Sequence, residues 1–440
     1  MKKQNNDIIR GTITLVIAGL LTRFLGFYYR IFLSAKIGAE GIGLYQMIFP
    51  LFGLCMSISV SGVHTSVSKY VSAKENCSLK TLVSGLIISV PLSLFCTSIM
   101  FFGSDIIATY FLNEPRCGIL LKYASVSIPM AVIHSCISGY FLGKKNALIP
   151  GITQFMEQLS RVACIWIIFY LAKDRLSGDI VSLAIIATIG LIVGEVVSMI
   201  ISLIATVYDK PTGIKLSPPS LCSVKESTMP IFRMAFPLTM TNVLLSIVHS
   251  IEATAIPFFL NKYGLSYSDA ISIYGILTAM SMPFILFPTT ISGAVSKMLL
   301  PTIALAQSKN DTARISSLSM RTLKYSISFG LFCTAFFILT GTSIGQTLFH
   351  NETAGNFITI LAWLCPLMFV SGTFASILHG LGLTKTTFFQ DIAGATVKLA
   401  FIIFFVPIYG IKGYLWGILA SELLCAILHT YSVLNYLYRT

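Results

Sequence analysis

The sequence predicts an all-α polytopic membrane protein with about twelve transmembrane helices, in two pseudo-symmetric lobes of six helices with both termini in the cytoplasm. Three observations predict this fold. Of the 440 residues, 55% are hydrophobic and 11% are charged, and a soluble fold of this length cannot bury so much apolar surface. Apolar runs long enough to cross a bilayer recur along the chain, and a polar segment divides them near the middle. We therefore expect the protein in the bacterial cytoplasmic membrane, in contact with the lipid bilayer.

Hydropathy, together with Gly, Pro and charged residues, delimits the individual helices. A helix rises 1.5 Å per residue, so about 20 apolar residues cross the hydrocarbon core. The predicted spans are 11–37, 43–68, 81–104, 118–142, 147–172 and 180–207 in the first half, and 229–260, 271–303, 322–345, 356–382, 386–409 and 411–437 in the second.

The positions of the Lys and Arg residues predict the orientation. These residues concentrate on the cytoplasmic side of membrane proteins. With the N-terminus inside, about eighteen of the 30 lie in cytoplasmic connections and about seven in outer ones. The net charge of +13 is thus spread over short connections between apolar runs, a pattern typical of membrane topology and not of nucleic acid binding. We expect no nucleic acid partner.

The longest polar connection lies between the sixth and seventh spans and is rich in Pro. It predicts an N-terminal lobe at 1–210 (helices 1–6), a cytoplasmic linker at 211–228 and a C-terminal lobe at 229–440 (helices 7–12). An even number of spans in each lobe gives the lobes the same orientation in the membrane. Weak internal similarity at one constant offset supports the division: Pro129, Gly143, Gln154 and Arg161 correspond to Pro366, Gly380, Asp391 and Lys398.

Two arginines in the first span are the strongest indication of function. Arg23 and Arg30 are seven residues apart, so they share a helix face about 10 Å apart, with Arg23 near the bilayer centre. An arginine at the bilayer centre costs about 2.5–3.5 kcal/mol to insert. A guanidinium keeps its charge and binds phosphate through two hydrogen bonds, which favours a diphosphate ligand. In the alternative, Arg30 extends to the outer interface and Arg23 pairs with an acid on a neighbouring helix.

Polar residues at helical spacing in the second and eighth spans predict a hydrated cavity between helices. The alternative for each stripe is close helix packing by small residues and interhelical hydrogen bonds. Their equivalent places in the two halves favour the cavity. The residues expected to line it are Gln46, Ser57, Ser61, His64, Ser281, Thr289, Ser292 and Ser296.

The other charges at membrane depth must find partners or water. Glu157 precedes Arg161 by four residues, the favourable order for a helical ion pair, and we expect a structural pair. The remaining charges serve either in ion coupling or in structure: Glu195, Glu252, Lys398 and Glu422.

The cysteines and histidines show no metal-ligand spacing, so we expect no metal and no cofactor. Coupling to Na⁺ or to protons through Glu195 or Glu252 stays open. We expect the protein to function as a monomer.

The opening segment GTITLVIAGLLTRFLGFYYRIFLSAKIGAEGIGLYQMIFPLFGL at 11–54, followed by SGVHTSVSKYVSAKE at 61–75, resembles the stage V sporulation protein B and polysaccharide biosynthesis transporters. These belong to the multidrug/oligosaccharidyl-lipid/polysaccharide (MOP) exporter superfamily, with the lipid II flippases and the MATE drug exporters. The detailed match covers about the first 75 residues, and the two-lobe plan covers the whole chain.

This resemblance implies a MATE-like fold whose two lobes open a central cavity alternately to each side of the membrane. The cargo would be an undecaprenyl-diphosphate-linked sugar or a peptidoglycan precursor of the cell wall. The resemblance also implies a role in sporulation. Arg23 and Arg30 match the family's paired arginines, so the resemblance assigns them the diphosphate. Lipid II flippases of the better-known type have two further helices that this chain lacks, which leaves open which lipid-linked sugar is carried.

Three hypotheses of function follow. The first is a lipid-linked oligosaccharide flippase. The second is a Na⁺- or proton-coupled exporter of the MATE type, motivated by Glu252 and Glu195. The third is a membrane glycosyltransferase or ligase, which the short outer loops disfavour. We therefore expect a transporter and not an enzyme.

Overall fold

The computed structural model describes residues 2–73, 78–171, 179–209 and 221–439, and every regular element in these ranges is helical. They form two compact units, Met1–Thr254 and Ala255–Thr440. Residues 211–220 of the predicted linker lie outside the described residues, and the helix that follows begins at Leu221, inside the range predicted as linker.

The helices of the first unit include two π-helical segments, Ser57–Ser61 and Ile107–Phe111. Helix α8 begins in this unit, and its last residues belong to the second. The α-helices are α1 (Lys2–Met56), α2 (Gly62–Ala73), α3 (Ser78–Phe102), α4 (Ser104–Ile106), α5 (Cys117–Gly143), α6 (Leu148–Leu171), α7 (Ile180–Tyr208) and α8 (Leu221–Lys262).

Gly38 separates the first two predicted spans. Helix α1 kinks there because Gly38 has φ 71° and ψ −178°, a backbone conformation that residues with a Cβ rarely adopt. The predicted gap between residues 37 and 43 therefore coincides with a real break.

A glycine lets α2 approach α8 within the first unit. A Cβ at Gly62 would collide with the carbonyl oxygen of Ala235. One turn earlier, the Ser57 and Ser246 hydroxyls are hydrogen bonded at 2.7 Å, and Tyr70 donates to the Pro230 carbonyl at 3.4 Å. The first half of α8 thus packs on the second predicted span, which explains why it clusters with the first unit.

The second unit is also helical throughout its described residues and includes a π-helical segment at Ile276–Ser281. Its core lies between α11, α12, α14 and α17, around side chains such as Ile303, Phe374 and Val433. The helices are α9 (Tyr267–Gly275), α10 (Met282–Leu286), α11 (Thr289–Ser308), α12 (Thr312–Phe349), α13 (Glu352–Leu361), α14 (Leu364–Gly380), α15 (Thr384–Phe404), α16 (Val406–Tyr409) and α17 (Ile411–Arg439).

Among the described residues, ten helices are long and apolar enough to cross a membrane, or eleven if the bent pair α13 and α14 forms one span. Relative to about twelve, two local features lower the number of spans and one raises it. The first two predicted spans, which the kink at Gly38 separates, count once because helical structure resumes directly after the kink, over Gly19–Ser72. The predicted span 271–303 is divided before Thr289, where Pro288 interrupts the helix. Helix α6 is absent from the ten because its polar residues lower its mean hydropathy.

Candidate functional site

Four ionisable side chains meet inside the first unit. Arg161 and Glu157 on α6 form an ion pair, with Nη2 2.8 Å from Oε1. The same Nη2 lies 3.6 Å from Oε1 of Glu195 on α7. The other oxygen of Glu195, Oε2, is hydrogen bonded to Nε2 of His134 on α5 at 2.9 Å. We call these four residues the N-unit charge cluster.

Local sequence explains why the cluster forms. Glu157 and Arg161 are four residues apart and therefore share a face of α6. On α7 the residue before Glu195 is Gly194, where a Cβ would lie 3.3 Å from Arg161 Nε. The missing side chain leaves room for the guanidinium between the helices. Arg161 thus faces two carboxylates, and His134 binds the second of them.

Helix α1 brings a further cation beside this cluster. Tyr29 and Tyr45 are buried, and the Tyr29 hydroxyl donates to the Tyr45 hydroxyl at 3.1 Å. Arg30 is half-buried and lies within electrostatic range of both tyrosines and of Arg161. No carboxylate among the described residues forms an ion pair with Arg30.

Arg23 lies on the same helix and is exposed. Two glycines leave space beside the arginines. A Cβ at Gly19 would meet no atom within 4 Å, and one at Gly26 would meet only Gln158, at 3.7 Å. The structure thus leaves open space beside α1 at Gly19.

The polar stripe of the second predicted span is used in two ways. Ser57 is bonded to Ser246 on α8 and so serves helix packing, whereas Ser61 donates to the Ser57 carbonyl of its own helical segment at 2.7 Å. Gln46 and His64 are half-buried. His64 lies within electrostatic range of His134 and therefore close to the charge cluster.

In the eighth predicted span, Ser281 is fully buried and donates to the Ala354 carbonyl at 3.1 Å, so in this structure it lines no open space. Its packing role follows from the π-helical turn that aims it at α13. Thr289 and Ser292 are half-buried. Thr289 donates to the Leu286 carbonyl at the end of α10, and Ser292 donates to the Thr289 carbonyl of its own helix. Ser296 donates to the Gly372 carbonyl on α14 at 3.4 Å.

The remaining predicted charges also have neighbours. Glu252 is buried, with Oε2 3.6 Å from Nδ1 of His249. In the second unit, Glu422 accepts a hydrogen bond from Ser371 at 3.1 Å and lies within electrostatic range of Lys398.

Comparison with known proteins decides the family. The profile described as polysaccharide biosynthesis protein matches residues 8–307. The chain belongs to this family. It is a multi-pass membrane transporter of the MOP superfamily and not an enzyme.

Two relatives of this polysaccharide biosynthesis family member come from Bacillus subtilis (strain 168). Stage V sporulation protein B is 25% identical over 441 residues, which cover 98% of this chain and 84% of that protein. Lipid II flippase MurJ is 22% identical over 426 residues, which cover 90% of this chain and 76% of that protein. The predicted family resemblance is confirmed.

Solved structures confirm the MATE-like fold. An inward-facing multidrug resistance MATE family transporter of the MOP superfamily matches with a TM-score of 0.74 and 15% identity, over 95% of both chains. A MOP superfamily transporter from Pyrococcus furiosus, described by the reverse polarity of its binding pocket, matches with a TM-score of 0.66 and 15% identity, over 98% of this chain and 95% of that one.

The sequence did not predict several contacts of this site. It anticipated Glu157, Arg161 and Glu195, but not that His134 bonds to Glu195 or that Tyr29 and Tyr45 flank Arg30. One available signal was His134 itself, an ionisable residue inside the predicted span 118–142.

His134, Glu157 and Glu195 have ligand atoms within 4.8 Å of one another, a spacing that a metal ion can use. The Arg161 guanidinium already lies against both carboxylates. Because a metal ion would have to displace this charge, the donor set suits an ion-pair network better than a metal centre.

Proposed function

We propose that the protein is a flippase that moves an undecaprenyl-diphosphate-linked sugar or peptidoglycan precursor across the cytoplasmic membrane by alternating access. The observation that carries the proposal is Arg30. It is a cation within a candidate membrane span, it is half-buried, and none of the described carboxylates forms an ion pair with it.

The charge balance around Arg30 supports an anionic ligand. The nearby acids Glu157 and Glu195 are engaged by Arg161 and His134. Neither acid forms an ion pair with Arg30, so its hydrogen-bond donors remain available to a ligand. A buried cation without a counter-ion is costly, and a bound phosphate would remove that cost through two charge-assisted hydrogen bonds.

The second arginine of α1 suits a diphosphate in particular. Arg23 lies seven residues before Arg30, about two helical turns. The open space at Gly19, four residues before Arg23, leaves room for a ligand beside this arginine. The name of one relative, lipid II flippase MurJ, also supports a lipid-linked cargo, at 22% identity.

Transbilayer movement of undecaprenyl-diphosphate-linked sugars in proteoliposomes tests this proposal. We expect Arg30→Gln to lose about 10- to 100-fold in rate, because a hydrogen bond to a charged group is worth about 1.5–3 kcal/mol. Arg30→Lys retains part of the rate, since lysine keeps the charge but not the two-pronged geometry.

Lys36→Gln is the matched control. Lys36 is an exposed cation on the same helix that lies over the Phe32 ring, 6.0 Å from its centroid. It should transport at the wild-type rate. If Lys36→Gln and Arg30→Gln lost the same fraction of the transport rate, the loss would reflect only the removal of one positive charge. That result would contradict a diphosphate site at Arg30.

A cation-coupled exporter of the MATE type is the second candidate. Two buried carboxylates beside histidines favour it, Glu195 with His134 and Glu252 with His249. Such an exporter would move cationic dyes in a Na⁺- or pH-dependent manner and lose this activity in Glu252→Gln. Dye transport together with no movement of any polyprenyl-linked sugar would favour it over the flippase.

A further inference from the structure

We propose that His429 and Asp391 form a proton-binding site inside the second unit. His429 on α17 is 2% exposed. Its Nδ1 lies 3.1 Å from the carbonyl oxygen of Ser371 on α14. Its Nε2 lies 3.5 Å from Oδ1 of Asp391 on α15. The imidazole therefore links three helices.

Proton accounting shows what this geometry requires. A carbonyl oxygen only accepts hydrogen bonds, so Nδ1 must carry a hydrogen. In a neutral imidazole, Nε2 is then an acceptor and faces the carboxylate of Asp391, which is also an acceptor when ionised. Nε2 is buried and has no hydrogen-bond partner among the described residues. Two acceptors directed at each other in a buried site repel.

One proton between Nε2 and Oδ1 removes this conflict. Either the imidazole is protonated at both nitrogens and pairs with the carboxylate, or the carboxyl group is protonated and donates to Nε2. In both cases the pair holds one more proton than a neutral histidine and an ionised aspartate. The site therefore binds a proton at a pH where neither residue would hold one in water.

The charges around the site sum to zero only when the proton is present. Glu422 of α17 lies within electrostatic range of His429, of Asp391 and of Lys398 on α15. Helix α14 contributes the exposed His379, within range of Asp391, and Cys425 of α17 also faces this group. The neighbours α11 and α12 present uncharged hydroxyls to α14, from Ser296 and Ser326. Two acids thus face one lysine and the bound proton.

Release of the proton acts on the packing of α15 against α17. This contact is held nearby by the Gln390 amide, which donates to the Ser432 hydroxyl at 2.7 Å, and by Ser421, which donates to the Gly394 carbonyl at 2.8 Å. Repulsion between His429 and Asp391 would weaken the packing of the same two helices, α15 and α17. Asp391 has a side chain 44% exposed, so it is the more accessible member of the pair.

The experiment uses the full chain in detergent. Histidine ¹⁵N NMR reports which imidazole nitrogens are protonated, with His429→Gln assigning the signal, and infrared spectroscopy detects a protonated carboxyl, with Asp391→Asn assigning the band. At about pH 7.5 we expect one proton in the pair, either an imidazolium at His429 or a protonated Asp391. A neutral His429 together with an ionised Asp391 overturns the proposal.

Exchange of Na⁺ for choline separates a proton from a metal cation. The proton site predicts spectra that do not change on exchange. Signals that depend on Na⁺, with His429 neutral and Asp391 ionised, would assign the site to a cation instead. None of these readouts involves transport, so the result is independent of the cargo proposed above.

Thermal unfolding against pH gives a second test. The unfolded chain holds no proton on either residue above about pH 7, whereas the folded pair holds one. Stability should therefore fall as pH rises, up to about tenfold in the unfolding constant per pH unit. In Asp391→Asn the amide donates permanently to Nε2, so this dependence should disappear.

The control His350→Gln changes an exposed histidine outside the spans and should keep the pH dependence of stability. An unchanged dependence of stability on pH in Asp391→Asn contradicts the proposal. If the asparagine variant does not fold, Asp391→Glu replaces it in the test, and because it keeps the acid it should retain the pH dependence.

Discussion

Nη2 of Arg161 lies 3.6 Å from Oε1 of Glu195, a residue on the neighbouring helix α7, while it holds Glu157 of its own helix at 2.8 Å. One guanidinium thus serves two carboxylates inside the first unit. This arrangement satisfies the acids within the protein, and it separates the structural arginine of α6 from Arg30 of α1, which has no such partner among the described residues. The two kinds of intramembrane arginine predict different mutant phenotypes.

Arg161→Met should destabilise the protein strongly. It leaves the carboxylates of Glu157 and Glu195 without their cation, and removal of one partner of a buried ion pair costs about 3–5 kcal/mol. The thermal unfolding midpoint of the purified protein measures this loss. The double variant Arg161→Met with Glu157→Gln should recover part of it, whereas no recovery would show that Glu157 does not depend on Arg161.

Gly62→Val should disrupt the packing of α2 on α8. Its side chain would meet the carbonyl oxygen of Ala235 and the Thr239 hydroxyl, and overpacking costs about 1–3 kcal/mol. Gly53→Ala is the matched control, because a Cβ there meets no atom within 4 Å. Comparison of the two unfolding midpoints checks the prediction, and equal values would contradict the close approach.

Gly38→Ala should strain the kink of α1. Gly38 has φ 71° and ψ −178°, a backbone region that is essentially restricted to glycine and costs other residues about 1–3 kcal/mol. In Gly19→Ala the added methyl group has open space within a helix, so that variant should be neutral or slightly stabilised. A stabilised Gly38→Ala would indicate that the chain does not bend at this residue.

The Lys144 and Asp209 pair should lose its stabilising effect only in alkali. Burial alone would lower the pKa of Lys144, but hydrogen bonds from its Nζ to Asp209, at 2.6 and 2.8 Å, outweigh burial and raise it. A raised folded pKa stabilises the protein below the unfolded value, about 10.4, and this contribution disappears as the pH rises through the folded value. Lys144→Gln should therefore cost about 0.2–1 kcal/mol at neutral pH.

Unfolding of the wild type and of Lys144→Gln at about pH 7 and about pH 11 tests this dependence. The two proteins should differ at the lower pH and converge at the higher one. Lys145→Gln is the control, since Lys145 is an exposed neighbour. A difference that persists in alkali would show that Lys144 stabilises the protein by packing instead of by charge.

The sequence by itself determined that the chain is helical and embedded in a membrane, where the first span breaks, and that Glu157 and Arg161 pair. These features are local, because hydropathy acts over one helix, a glycine break depends on one residue and an i,i+4 pair lies on one face. Only the tertiary structure decided which side chains meet across helices: His134 with Glu195, Ser57 with Ser246 and His429 with Asp391. Such contacts depend on how each helix is rotated about its axis and on small residues such as Gly62 and Gly194 that let helices approach. The buried position of Ser281 was likewise decided by packing, through a π-helical turn that shifts the face of its helix.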